Sequence, residues 1–205
     1  MKKIKVLNLY ACVGGNRTRW DNNKIDVTAI ELCPKMATIY KERFPNDKVI
    51  VCDAHQYLLE NFNKFDFIWS SPPCPTHSTV RKVNINQNKP VFPDMKLYEE
   101  ILFLKGYFKG KWVVENVISW YDPLIKPYEY QKHYYWSNFP IIGKKEGNRG
   151  MGNNESIEEL QNLKEIDLSK YKKIDKRKIL RNMVEPKAGL AIFNMAFNNI
   201  QKRLI

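Results

Sequence analysis

The feature that most constrains the fold is an alternation that runs from Ile4 to Val117. IKVLNLYA (Ile4 to Ala11), VTAIEL (Val27 to Leu32), KVIVCD (Lys48 to Asp53), FDFIWS (Phe65 to Ser70) and KWVVENV (Lys111 to Val117) are apolar runs of strand length, too short for stable helices. Between them lie segments with helical spacing, CPKMATIYKERF, HQYLLENF and MKLYEEILFLKGYF, the first with Pro34 at a first-turn position. Parallel strands need crossovers of this kind, so the alternation predicts an α/β fold: an open, mostly parallel sheet with helices on both faces. Ligands of such sheets collect at the carboxyl ends of the strands. Gly14 and Gly15, Glu31, Asp53, Cys74 and Glu115 each lie at or just past a strand end, so one rim is expected to carry them all.

A chain of 205 residues with 43% hydrophobic content suits one well-cored domain. Its 34 Lys and Arg against 22 Asp and Glu give a net charge of +12, a field that concentrates polyanions. Half of that excess falls between Lys144 and Ile205, with 14 basic and 8 acidic residues. RKVNINQNK (Arg81 to Lys89) adds three bases and no acid. Both stretches are candidate phosphate-facing surfaces, or merely solvated faces. GKKEGNRGMGNNES, from Gly143, is rich in glycine and asparagine and reads as a flexible connection. Cys12, Cys33, Cys52 and Cys74 form no C-x-x-C pair, so no metal site is expected and a reducing compartment follows. The amino-terminal apolar run is broken by Asn8 and glycines, and no run approaches the roughly 20 apolar residues of a membrane span. A soluble, cytoplasmic protein without membrane contact is expected.

YACVGGN reads as a glycine-bearing turn entering a helix, where backbone can approach a cofactor closely. Glu31 stands where an acid commonly accepts hydrogen bonds from ribose hydroxyls, and Asp53 could meet an adenine amino group, although either one alone reads as an ordinary solvated strand-end acid. Together with the turn they point to a nucleoside-containing cofactor. In SSPPCPTHS, Pro72, Pro73 and Pro75 stiffen the chain around Cys74 and display its thiol at the rim, as a nucleophile requires. Cys33 and Cys52 read instead as small buried hydrophobes. Glu115 ends an apolar strand, where a carboxyl partly removed from water can donate a proton; alternatively Glu115 and Asn116 cap the turn.

Six motifs, NLYACVGG, AIEL, CDAH, SPPCPTHS, VVENV and RNMVEP, occur in an order that resembles the DNA cytosine-5 methyltransferases over almost the whole chain. SPPC followed by ENV is the specific part. The chain looks similar to compact phage-encoded members with a minimal target-recognition region, and YQKHYYWSNFP resembles the segment that precedes target recognition in the vertebrate de novo enzymes. The resemblance implies a Rossmann-like fold that uses S-adenosylmethionine, with a catalytic core over 1–138, a reduced recognition region over 139–180 and a return to the core over 181–205. It implies methyl transfer to carbon 5 of cytosine in DNA, on a base flipped out of the helix and held in a covalent cysteine adduct.

By the same resemblance Cys74 is the nucleophile, Glu115 the acid at the ring and Asn116 its support. Tyr10, Ala11, Cys12, Gly14, Gly15, Glu31, Leu32, Asp53, Ala54 and Asn182 would hold the cofactor. Pro73, Ser78, Arg81, Lys82, Gln131 and His133 would face the nucleic acid, and a mobile basic loop from Thr76 to Pro93 would close over the flipped nucleotide. The amphipathic KAGLAIFNMAFNNI that follows RNMVEP would dock on the sheet. Three departures stand out: Cys12 replaces a glycine of the first turn, Gln131 and His133 occupy a position usually R-x-R, and only Phe139 to Leu180 is left for target recognition, so a protein partner could supply selectivity. The alternatives are tRNA as the polyanion in place of DNA, methylation of an exocyclic amine, or a non-catalytic nucleic-acid-binding relative. If the chain is phage-encoded, its compartment is the host cytoplasm.

Overall fold

The computed structural model describes residues 2–83, 89–143 and 155–197. Seven strands form one sheet in the order β3-β2-β1-β4-β5-β7-β6. β1 (Ile4–Leu9), β2 (Ile25–Ile30), β3 (Lys48–Ile50), β4 (Phe67–Ser70) and β5 (Lys111–Val117) pair in parallel. β6 (Tyr128–Tyr130) and β7 (His133–Ser137) form an antiparallel hairpin that adds to the sheet through β7 against β5. The helices are α1 (Pro34–Arg43), α2 (Ala54–Asn61), a short α3 (Val80–Val83), α4 (Lys96–Tyr107), α5 (Ile157–Lys164), α6 (Lys176–Asn182) and α7 (Pro186–Phe197). This is a Rossmann-like α/β fold. Among the described residues no helix is long and apolar enough to cross a membrane.

The central strands carry apolar side chains on both of their faces because both faces are covered. Leu7, Leu9, Ile68, Val114 and Trp136 point to one face, where α2 (Leu58) and α4 (Leu97, Ile101, Leu104) seal them. Their neighbours Val6, Phe67, Trp69, Val113 and Tyr135 point to the other, against Ile192, Phe193 and Ala196 of α7. The helix expected after RNMVEP therefore does dock on the sheet; residues 198–200 of that expectation lie outside the described residues. The glycine- and asparagine-rich connection after Gly143 falls on 144–154 and the basic loop partly on 84–88, and both of those segments also lie outside.

Two expectations are corrected. The turn after β1 does not enter a helix: residues 10–24 run as successive turns, with Gly14 N–H donating to Ala11 O and Thr18 N–H to Gly15 O. Left-handed backbone at Tyr10 (φ 55°), Cys12 (φ 46°) and Gly14 (φ 79°) is incompatible with an α-helix there. α7 also approaches too closely to leave room for one, since a Cβ on Gly189 would sit 2.3 Å from Asn16 O. Trp20 fills the space instead, stacked on Phe193 at 4.9 Å between centroids. Cys33 is the second correction: it is exposed at the N-cap of α1, because Pro34 starts the helix at the rim of the sheet and turns the preceding residue outward.

The turn segment is anchored by a buried ion pair. Arg17 Nε lies 2.9 Å from Asp47 Oδ2, with both side chains under 5% exposed, and Tyr40 Oη donates to the same carboxylate at 2.9 Å. Arg17 Nη1 also donates to Trp20 O at 3.0 Å. Removing one member of a buried pair leaves the other charge uncompensated. Arg17→Met is expected to lower the unfolding free energy by about 3–5 kcal/mol in urea denaturation, whereas an exposed change such as Lys24→Met stays within about 0.5 kcal/mol.

Candidate active site

Five carboxyl ends of parallel strands open on two adjoining cavities. One, of about 280 Å³, is lined by Tyr10, Cys12, Gly15, Pro73, Cys74, Glu115, Asn116, His133, Arg181 and Asn182, among others. The second, of about 510 Å³, is lined by Glu31, Leu32, Asp53, Ala54, Asp94 and Lys96. Tyr10, Ser71 and Pro73 belong to both and form the wall between them.

Cys74 and Glu115 meet in the first cavity because β4 and β5 are neighbours in register, Ser70 opposite Val114. Cys74 follows the end of β4 by four residues and Glu115 follows Val114 directly. Asn116 Nδ2 donates to Pro72 O at 3.0 Å, while its Oδ1 accepts from Val117 N–H. The loops beyond are tied as well: Trp120 donates from its backbone to His77 O at 2.9 Å and from Nε1 to Thr76 O at 3.0 Å, and Ser78 bridges to Ser119. Tyr121 Oη sits 2.6 Å from His77 Nδ1. His77, which the sequence reading did not single out, is buried, and that burial lowers its pKa and favours the neutral ring.

The Cys74 thiol is pushed above its ordinary value by burial and then by the Glu115 charge. It therefore rests as a thiol, and its ionisation is coupled to the state of Glu115. Glu115 is 7% exposed, with His133 Nε2 3.7 Å from Oε1. Cys12 lies in the same cavity, but burial, reinforced by Glu31, pushes its thiol up to about 12, so only Cys74 stands where a thiolate can be used.

In the second cavity Glu31 is oriented by two backbone amides: Cys12 N–H donates to Oε2 and Cys33 N–H to Oε1, each at 2.8 Å. Each oxygen retains a free lone pair for a hydroxyl donor. Asp53 caps α2 by accepting from Gln56 N–H at 2.9 Å, leaving its other oxygen for a ligand. Two acceptor carboxylates beside the apolar Leu32 and Ala54 fit the ribose hydroxyls and the base of S-adenosylmethionine.

Tyr10 stands in the partition, and its hydroxyl is engaged by a residue that lines neither cavity. It donates to Glu100 Oε1 at 2.5 Å, and Ser70 Oγ donates to Oε2 at 2.5 Å. His55 Nδ1 completes the network 3.1 Å from Oε1. Glu100 is fully buried and no motif marks it, since MKLYEEILF reads as an ordinary helix with two acids side by side. The Tyr10 phenol, raised by burial and by the Glu100 charge, remains protonated and so remains the donor.

The remaining sequence-derived candidates are dispersed. Ala11 and Gly15 line the first cavity, but Gly14 lines neither; a Cβ there would meet the Phe44 ring at 2.4 Å, so Gly14 admits α1 rather than a cofactor. Gly15 is required by the returning chain, because its Cβ would sit 2.4 Å from Val184 O. Gln131 occupies the two-residue hairpin turn in left-handed backbone (φ 52°) and lines neither cavity. Ser78, Arg81 and Lys82 also lie outside both linings, with Arg81 Nη2 donating to Lys89 O at 2.8 Å.

A search of curated proteins found no match. Among solved structures, a hypothetical protein of Thermus thermophilus is 16% identical, with a TM-score of 0.46, over 66% of this chain and 74% of its own. DNMT2 of Spodoptera frugiperda, in a mutant form, is 18% identical, with a TM-score of 0.44, over 70% of this chain and 54% of its own. The Entamoeba histolytica methyltransferase EhMeth is 15% identical, with a TM-score of 0.41, over 77% and 62% respectively. All three are distant likenesses of fold. The family model for C-5 cytosine-specific DNA methylases matches residues 4–118, which carry Glu31, Asp53, Cys74 and Glu115, and the chain belongs to that family of S-adenosylmethionine-dependent cytosine methyltransferases.

Proposed function

We propose that the protein methylates carbon 5 of cytosine in DNA through a transient bond between Cys74 Sγ and carbon 6 of a base swung into the 280 Å³ cavity. The single observation that carries the reading is that Cys74 and Glu115 line one cavity whose wall, Tyr10, Ser71 and Pro73, is shared with the acid-bearing cavity that suits the cofactor. Carbon 5 of cytosine is a weak nucleophile until a thiolate adds at carbon 6. Cys74 gives up its thiol proton to solvent as Sγ bonds to carbon 6, and Glu115 delivers a proton to ring nitrogen 3 as the 5,6 double bond opens, which turns the ring into an enamine. Glu31, Asp53, Leu32 and Ala54 would hold S-adenosylmethionine, with Asn182 meeting it from the first cavity, and the cofactor would supply an electrophilic methyl group and leave as S-adenosylhomocysteine. Loss of the carbon 5 proton to a base then returns the electron pair that expels the Cys74 thiolate.

Asn116 steadies the Pro72 carbonyl, and Pro73 with His133 shapes the base cavity. In the same reading residues 139–180 serve as a reduced recognition region, and Ser78, Arg81, Lys82 and Gln131 contact the nucleic acid around the cavity rather than inside it.

Duplex DNA containing 5-fluorocytosine, incubated with S-adenosylmethionine, is expected to give an adduct that survives denaturation with the native chain and none with Cys74→Ala. Transfer of labelled methyl to tRNA but not to DNA would overturn the choice of substrate. Undiminished activity of Cys74→Ala would overturn the covalent route.

Glu115→Gln separates two effects of one carboxyl. Methyl transfer is expected to fall about 10²–10⁴-fold with the loss of the proton donor. Because the Glu115 charge helps to raise the Cys74 pKa, its removal lowers that pKa, and iodoacetamide labelling of Cys74 near pH 7.5 is expected to speed up.

Glu100 is a positioning residue in this reading, acting through Tyr10 and Ser70. Glu100→Gln places an amide donor against a hydroxyl donor. It is expected to weaken S-adenosylmethionine binding about tenfold, or about 1.4 kcal/mol, in calorimetry. A purely structural role would instead lower the melting temperature and leave cofactor affinity intact.

A further inference from the structure

α6 ends at the lip of the base cavity, which Arg181, Asn182, Met183 and Val184 help to line. Its backbone is firmly held. Ile179 and Leu180 are buried, Asp175 caps the helix by accepting from Lys178 N–H, and Lys164 Nζ donates to Met183 O at 2.7 Å. Two of its side chains are held by nothing: Lys178 and Arg181 are exposed and make no hydrogen bond or ion pair among the described residues. At i and i+3 they share one face of the helix. Lys176 and Arg177 are engaged elsewhere, with Ser169 O and Glu155 O.

The cavity itself has little positive charge to offer a polyanion. Arg181 is the single Lys or Arg in its lining among the described residues, and the His133 imidazole is 3.7 Å from Glu115. A neutral base can enter a cavity of about 280 Å³, but the phosphodiesters on either side of it stay ionised and cannot follow without a large desolvation cost. They must be met at the lip. A guanidinium on a fixed backbone suits that task, because its planar fork matches two phosphate oxygens at once. A last-turn arginine is ordinary for the helix dipole, but the dipole gives no reason for that arginine to reach a cavity.

We propose that the Lys178–Arg181 face of α6 is a phosphate-binding edge, on which Arg181 takes a phosphodiester that flanks the target cytosine and Lys178 extends the contact along the backbone. The inference rests on the reading that the cavity receives a base from DNA.

The test is a fluorescence-anisotropy titration of a duplex oligonucleotide across several salt concentrations, with S-adenosylhomocysteine present and its own affinity measured by calorimetry. Arg181→Ala and Lys178→Ala are each expected to weaken DNA binding and to reduce the slope of log K against log salt by about one. Arg181→Lys should keep the slope but lose part of the affinity, since an ammonium retains the charge without the fork. Affinity for S-adenosylhomocysteine should stay at the native value in all three. An unchanged slope in Arg181→Ala would overturn the proposal. So would a loss of S-adenosylhomocysteine affinity matching the loss for DNA, which would assign the guanidinium to the cofactor's carboxylate. If the native chain forms no 5-fluorocytosine adduct, the methyl-transfer reading fails by that result, while the salt slopes still decide whether this edge binds phosphate.

Discussion

The hydrogen bond from Asn116 Nδ2 to the Pro72 carbonyl, at 3.0 Å, joins the loop that carries Cys74 to the strand that carries Glu115. Parallel register alone brings the ends of β4 and β5 side by side; it does not fix a proline-stiffened loop that has left the sheet. The side-chain amide does this with both of its ends, donating across to Pro72 and accepting from Val117 N–H. Trp120 repeats the tie further out, with one bond from its backbone and one from its indole. Thiol and carboxyl thus sit on a single clamped unit, and the electrostatic coupling between them follows from that geometry.

A second dependence runs through the turn after β1. Its left-handed residues keep the chain flat against α1, α7 and the 183–184 segment, and the close approaches at Gly14, Gly15 and Gly189 leave no room for side chains. Cys12 holds a left-handed backbone that glycine would adopt with less strain, yet its N–H is what orients Glu31. The departure from glycine therefore retains the backbone donor and adds a thiol whose pKa is pushed up to about 12, first by loss of water and then by Glu31. Because Gly15 packs on Val184, the cavity cannot be complete until the far end of the chain has returned.

Much of this was legible in the residues themselves. KWVVENV is β5 from end to end, and the five expected parallel strands and the α1, α2, α4 and α7 helices are all present, because doubly covered strands and amphipathic helices impose strong periodicities. The hairpin was not legible: its turn is Gln131-Lys132, without the glycine or asparagine that usually marks left-handed backbone, and YEY is only three residues long at the edge of the sheet. The missing first helix was hidden for a related reason, as two of its three left-handed residues are a tyrosine and a cysteine. Cys74, Glu115 and Glu31 announce themselves at strand ends. Glu100 does not, because its partners Tyr10, Ser70 and His55 are distant in sequence and only the closed sheet brings them together.

The charges at the rim are divided by depth. Glu115, Glu31 and Asp53 stand in the two linings and Glu100 behind them; Glu31 and Asp53 accept from backbone amides, Glu100 accepts from hydroxyls, and the His133 imidazole lies 3.7 Å from Glu115. Arg181, which is exposed, is the single Lys or Arg in the first cavity's lining among the described residues, although the chain as a whole carries +12. A chain that gathers a polyanion by a long-range field need not place its positive charge beside the reacting groups. Here Arg181 is exposed, whereas Glu115, in the same lining, is 7% exposed.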